Sequence, residues 1–148
     1  MKITLLHPSR GRAAQAHIVR NNWLHLSSKE HEIEHILGVD ESDPDKHKYE
    51  RLFKNDSQTT LVIADNDTVV EATNTIAEYA EGEILIYLSD DFLCPRNWDE
   101  LIVRSVERLV PHPAEMTEQP KWLLKVDDLL QPMWKDVLTI PIMSHTLY

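Results

Sequence analysis

Of the chain's 148 residues only one is cysteine, three are glycine and 7% are aromatic. Cations are also scarce: 15 Lys and Arg stand against 25 Asp and Glu, a formal charge of −10. The single thiol, Cys94, excludes an internal disulfide and a cysteine-rich zinc site. The acidic balance repels a phosphate backbone, and the one compact basic feature, Arg10-Gly11-Arg12, is too small to track a duplex. Nucleic acid is therefore not expected as the main ligand. Long apolar runs are missing too: Ile84–Leu88 falls far short of the roughly 20 residues that span a bilayer. Met1–Pro8 loses its apolar character too soon for a signal peptide. These absences predict an acidic, cytoplasmic protein without a transmembrane segment.

What is present points to one folded domain. Hydrophobic residues make up 42% of the chain, too many for intrinsic disorder, and this length buries roughly two thirds of the unfolded surface. Ile3–His7, Ile33–Asp40, Thr60–Ala64 and Glu83–Leu88 read as strands, with Pro8 stopping the first. Between and after them, helical spacing recurs. Ala16, Val19, Trp23 and Leu26 mark a helix over Arg12–Leu26, and Val69, Thr73, Ile76, Ala77 and Ala80 mark another that Gly82 is expected to end. Trp98, Leu101, Ile102, Ser105, Val106 and Leu109 mark a third, while Glu41–Asp45 is a turn cluster. The alternation argues for βαβ units and a mostly parallel sheet. From Pro111 onward five prolines break the pattern, leaving Trp122–Val126 and Leu138–Ile142 as candidate edge strands.

Open parallel sheets bind ligands beyond the carboxyl ends of their strands. Those ends carry Pro8-Ser9-Arg10-Gly11-Arg12, Asp40-Glu41-Ser42-Asp43, Asp65-Asn66-Asp67 and Ser89-Asp90-Asp91. Such an acidic rim with a basic corner suits a ligand that brings both a divalent cation and phosphates. Mg²⁺ or Mn²⁺ bridges one or two carboxylates to phosphate oxygen, a role open to Asp90-Asp91; the bland reading is a helix cap or solvated turn. Ser9–Arg12 has guanidinium forks and helix-start amides for phosphate, or is simply an exposed helix end. Asp40 is a hydrogen-bond acceptor for a ribose or base, or a turn residue.

His31-Glu32-Ile33-Glu34-His35 matches the H-E-x-x-H pattern of zinc proteases. Zinc needs both histidines on one helical face, whereas this segment runs into a strand, where four residues span about 13 Å. The protease reading is excluded on that ground. The remaining histidines are expected on the surface or satisfied in the core, Trp23 and Trp98 in the core, and Cys94 without an activating partner.

Taken in order, Pro8–Arg12, Val39–Pro44, Asn74 within Glu71–Ala80, Gly82–Phe92 and Asn97-Trp98-Asp99 resemble family-2-like glycosyltransferases with the GT-A fold, particularly short bacterial and phage members. The resemblance covers residues 1–103 and continues more weakly through Lys125–Asp128 and Thr139–Ser144. It implies an α/β, single Rossmann-like GT-A domain, with helices on both faces of a mostly parallel sheet and an incomplete acceptor part. It also implies metal-dependent transfer of a sugar from a nucleoside diphosphate of the UDP or GDP type to an unknown acceptor.

By position, Pro8, Ser9, Arg10 and Arg12 would surround the base and diphosphate, Asp40 would meet the base or ribose, and Asn74 would lie near the nucleotide. Ser89-Asp90-Asp91 would replace the family's Asp-x-Asp motif, with Asp91 on Mn²⁺ or Mg²⁺ and Asp90 beside the ribose or sugar. Asp128 is the candidate acceptor-side catalytic carboxylate. Residues 1–110 would form the donor-binding core and 111–148 a partial acceptor segment. The rival reading is a non-catalytic nucleotide-sugar-binding or assembly domain, and Trp122–Trp134 offers an apolar stretch to cover a sheet edge or to join a partner such as a second copy.

Overall fold

The computed structural model describes residues 1–109, 120–126 and 140–148. Strands β1 (Lys2–Ser9), β2 (Glu32–Asp40), β3 (Thr59–Ala64) and β4 (Ile84–Tyr87) alternate with helices α1 (Ala13–Leu26), α2 (Lys46–Phe53), α3 (Val69–Ala77) and α4 (Trp98–Leu109). Two short strands follow, β5 (Leu123–Lys125) and β6 (Pro141–Ser144). The sheet order is β3-β2-β1-β4-β6-β5, with β3, β2, β1 and β4 parallel and β6 antiparallel to both β4 and β5. The expected α/β architecture is the observed one.

β1 is central and buried on both faces, which is why it reads as an unbroken apolar run rather than an alternation. Ile3 and Leu5 point into a core shared with Val19 and Trp23 of α1 and Val103 and Val106 of α4. Leu6 points to the other face, against Ile76 and Ala77 of α3. On the first face, next to β2, Ala13 and Ala16 of α1 pack with Leu37, Val39 and the Tyr49 and Phe53 side chains of α2. Helices α1, α2 and α4 thus cover one face and α3 the other.

Four details depart from the sequence reading. Pro8 does not stop β1 but pairs with Gly38 inside it. The Lys2 and Leu6 carbonyls bond toward β4, so by alternation the proline nitrogen also faces that side, where β4 has already ended and no donor is required. Gly82 does not cap α3, which ends at Ala77; it lies against β1, where a Cβ would sit 2.6 Å from the Thr4 nitrogen. Val69 is exposed and Thr73 only half-buried, while Ile76 and Ala77 are buried, so α3 meets the sheet chiefly through its C-terminal half, and Leu101 of α4 is exposed while Val103 is buried. Finally, of the two candidate edge strands β6 is an inner strand and β5 alone lies at an edge; residues 138 and 139 of the expected Leu138–Ile142 strand lie outside the described residues.

Register fixes where the last strands begin and end. Lys125 pairs with Pro141, and Ile142 pairs with Ile86 near the carboxyl end of β4. Val126 and Ile140 therefore flank the end of the sheet at which β1 to β4 finish. The H-E-x-x-H segment lies at the start of β2 with His35 in the core, which removes it as a zinc site. Among the described residues no helix is long and apolar enough to cross a membrane.

Cys94 is buried between α1 and α4, with Asn22 as its neighbour, and burial pushes its thiol up to about 12. Iodoacetamide at mildly alkaline pH should leave native Cys94 unmodified and label it once denaturant is added, as read by mass spectrometry; rapid native labelling would contradict this packing. The favourable contribution of the neutral thiol is present below the unfolded value of 9.0 and is lost as pH rises through about 12.

Candidate functional site

The loops after β1, β2 and β3 are tied together by side chains that accept backbone hydrogen bonds. After β1 the chain turns at Gly11, whose φ of +67° is the reason for glycine there, since a Cβ would meet nothing within 4 Å. The Gly11 amide donates to Asp43 Oδ2 at 2.7 Å, and Asp43 Oδ1 accepts from the Asp45 amide at 2.7 Å. This carboxylate fastens the loop after β2 to the loop after β1. Asp40 does the same between β2 and β3, accepting from the Ser42 amide at 2.8 Å, the Ser42 hydroxyl and the Asn66 amide at 3.2 Å. The bonds from Ser42, first the hydroxyl and then the amide, hold its carboxyl below the ordinary range.

Asp90 is buried where β4 ends. Its Oδ1 lies 3.0 Å from His7 Nε2 and its Oδ2 accepts from the Ser9 hydroxyl at 3.0 Å. Ser9 in turn meets the Tyr49 hydroxyl at 2.8 Å, and Tyr49 accepts the Arg12 amide at 2.9 Å. Burial raises the Tyr49 phenol, so it stays protonated and is available as a donor. Asp91, by contrast, is exposed and makes no hydrogen bond or ion pair to any described residue. It borders an open cleft of about 530 Å³ lined also by Arg12, the first turn of α1, Lys48 and the inner edge of Asp90. Arg12, the N-cap of α1, offers its helix no side-chain cap. The amides of that first turn therefore face the cleft as anion donors.

The candidates drawn from the sequence fall into three groups. Ser9 and Asp90 are bonded to one another, and Arg12, Asp90 and Asp91 share the cleft. Arg10 stands outside it, exposed, with its guanidinium 3.0 Å from Ser42 Oγ and 3.9 Å from Asp40, while Pro8 is buried in β1. Asn74 is on α3, across the sheet, where it accepts from the Tyr148 hydroxyl and lines a separate cavity of about 380 Å³ with Tyr87 and Met143. Asp128 lies outside the described residues. The Gly11 and Arg12 amides, expected as part of a phosphate cradle, are already taken by Asp43 and Tyr49; the free amides begin one residue later. His7 and Tyr49 are the members that the sequence reading missed, while Asp43, placed on the rim by that reading, fastens the loops rather than facing a ligand.

Among the described residues no group of three or more His, Cys, Asp or Glu side chains could hold a metal. Asp90 has both oxygens bonded by His7 and Ser9, and Asp45, which also lines the cleft, is paired with Lys48 at 2.7 Å, so Asp91 is the cleft carboxylate with no partner among the described residues. That donor set fits a hard cation that takes one carboxylate from protein and the rest from phosphate and water. It does not fit a cation held by protein alone.

No family model matches the chain. No curated protein matches it in sequence. Solved structures do match in fold. A mannosyltransferase from Pyrobaculum calidifontis, in complex with GDP-Man and Mn²⁺, aligns with TM-score 0.58 at 19% identity over 74% of this chain and 32% of its own. Residues 1–349 of S. aureus TarS with UDP-GlcNAc align with TM-score 0.65 at 13% identity, over 99% of this chain and 46% of theirs. A CMP:2-keto-3-deoxy-manno-octonic acid synthetase complexed with CTP aligns with TM-score 0.56 at 14% identity, over 99% of this chain and 76% of its own. The six-stranded sheet and its four helices are thus a small GT-A, Rossmann-like domain similar in fold to glycosyltransferases. The chain spans less than half the length of the mannosyltransferase and of TarS 1–349.

Proposed function

We propose that the chain binds a nucleoside-diphosphate sugar of the UDP or GDP type together with Mn²⁺ or Mg²⁺ and transfers the sugar to an acceptor. The observation that carries this reading is the cleft, which an uncapped helix start, Arg12, the Lys48–Asp45 ion pair and the Asp91 carboxylate line together. Cationic and dipolar donors take the diphosphate, and Asp91 takes the cation that the diphosphate brings. Bound there, the cation acts as a Lewis acid on the departing diphosphate. Arg10 and Asp40, at the exposed rim beyond β1 and β2, serve the nucleoside with Pro8 and Ser9 behind them. Asn74 serves the nucleotide only through a ligand that reaches past β4 to the α3 side. Residues 1–110 supply the donor half and 111–148 the acceptor side, with Asp128 as its carboxylate. The bound GDP-Man with Mn²⁺ and UDP-GlcNAc in two fold neighbours support the ligand class.

Isothermal titration with UDP and GDP tests the proposal. Binding should require Mn²⁺, and Asp91→Asn should weaken it by about tenfold or more, roughly 1.4 kcal/mol. No binding at millimolar nucleotide with Mn²⁺ present would sink it. The engagement of Asp90 by His7 and Ser9 favours, as a second reading, donor binding without transfer. Donor hydrolysis or transfer by the intact chain, lost in Asp91→Asn, would eliminate that second reading.

A further inference from the structure

Beneath the cleft a chain of polar groups crosses the interior from Asp90 to the far side of β3. His7 and His35 are both fully buried, on the face of the sheet that α1 and α2 cover. Their rings meet edge to face at 5.3 Å, with His7 Nδ1 3.1 Å from His35 Nε2. His35 Nδ1 lies 3.0 Å from the hydroxyl of Thr59, its partner in the β2–β3 register. That hydroxyl also lies 2.9 Å from Asp56 Oδ2 and accepts from Arg20 Nε at 3.1 Å. Arg20 and Asp56 form an ion pair whose side chains are largely buried.

With Asp90 as a carboxylate, counting protons along this chain leaves one complete assignment. The Thr59 hydroxyl has one proton, and the Asp56 carboxylate beside it can only accept, so the proton points to Asp56. The two lone pairs of Thr59 then accept from Arg20 and from His35, which places a proton on His35 Nδ1. Burial first, then the nearby His7 and Arg20, disfavour charge on His35, so it is neutral and its Nε2 is an acceptor. His7 Nδ1 must therefore donate to it. On the other side of Asp90, Tyr49 accepts the Arg12 amide and donates to Ser9, and Ser9 donates to Oδ2. Oδ1 is left for His7 Nε2.

We propose that His7 is a positioning residue of the cleft: protonated on both ring nitrogens, it clamps Asp90 between the buried His35 and the Ser89–Asp91 turn, and so aims the neighbouring Asp91 into the cleft. The functional part of this inference rests on the nucleotide reading given above; the protonation pattern does not. Asp90 is in this arrangement an anchor rather than a ligand, since each of its oxygens already receives an internal donor. The charge it carries stays inside the protein, matched by His7, and is not presented to the cation.

Long-range ¹H–¹⁵N spectra of the ¹⁵N-labelled full chain at neutral pH read the four ring nitrogens directly. His7 should show two protonated nitrogens, and His35 the Nδ1–H tautomer with a bare Nε2. A bare nitrogen on His7, or the Nε2–H tautomer on His35, would overturn the assignment. His7→Gln retains an N–H donor and His7→Leu removes it. The amide resonances of residues 89–92 should stay near their wild-type positions in the first and move in the second. Nucleotide affinity in Mn²⁺ should fall by about tenfold or more only in the second. Unmoved resonances in a folded His7→Leu chain would overturn the positioning role. If His7→Leu does not fold, the ring-nitrogen spectra of the wild type and the His7→Gln chain still decide. If the wild type binds no nucleotide, the functional reading falls while the same spectra decide the clamp.

Discussion

Trp23→Ala lowers stability by about 4 kcal/mol, the usual cost of truncating a buried indole, and loosens the segment that follows Asp91. Trp23 is almost fully buried, and its ring packs on Trp98 with centroids 4.8 Å apart. Two hydrogen bonds lock the pair: Trp23 Nε1 donates to the Phe92 carbonyl at 2.8 Å, and Trp98 Nε1 donates to the Trp23 carbonyl at 2.8 Å. The Cys94 amide donates to Asn22 and the Asn97 amide to the Leu26 carbonyl, so α1 anchors residues 92–97 along its last turn. The melting temperature should fall by about 10 °C, at roughly 2–4 °C per kcal/mol for a chain of this size. Trp23→Phe keeps most of the ring contact and loses one hydrogen bond, about 1 kcal/mol. Urea denaturation gives both numbers, and amide exchange across residues 92–97 reports the loosening. A Trp23→Ala chain as stable as the wild type would mean that the two indoles do not organise this side of the core.

Gly82→Ala is the second large expected loss, about 3 kcal/mol. A Cβ at this position would lie 2.5 Å from the Thr4 hydroxyl and 2.6 Å from the Thr4 nitrogen. The nitrogen belongs to β1, which is paired on both sides and cannot retreat, so β4 must move instead. Such a shift also disturbs the bond from the Gly82 amide to Thr4 Oγ1, now 2.9 Å. Gly38→Ala is the informative comparison. There the Cβ would meet the Ile76 side chain at 2.6 Å with no backbone inside 3.0 Å. Ile76 is buried and β-branched, so relief comes from a small shift of α3 rather than of a strand paired on both sides, and the cost should be smaller, about 2 kcal/mol. Equal losses at the two positions in urea denaturation would contradict this distinction.

Strands buried on both faces read as apolar runs, which is why β1 and β4 stand out in the sequence, and the stripe of α1 is clear because Ala16, Val19 and Trp23 all reach the core. Helix α2 was not foreseen. Its eight residues bury only Tyr49 and Phe53, and they follow an acidic turn cluster that dominates the local pattern. The strand-end argument brought Ser9, Arg12, Asp90 and Asp91 into one region, because a parallel sheet delivers all its carboxyl ends to the same edge. Asn74 came from the family resemblance rather than from the strand ends, and it is carried by α3, the only helix on the other face among the described residues. His7 was one histidine among eight. Strand alternation puts it on the same face as Ser9, and that parity was the available signal for its place beside Asp90.

The pairing of Lys125 with Pro141 has a further consequence. The connection between them departs from and returns to adjacent strands, so its ends stay about 5 Å apart whatever its length. Closing a longer loop between fixed ends costs only slowly more, about 0.6 kcal/mol for each doubling. Added length between these two anchors is therefore a small term in stability, and the β5–β6 pairing itself does not limit it.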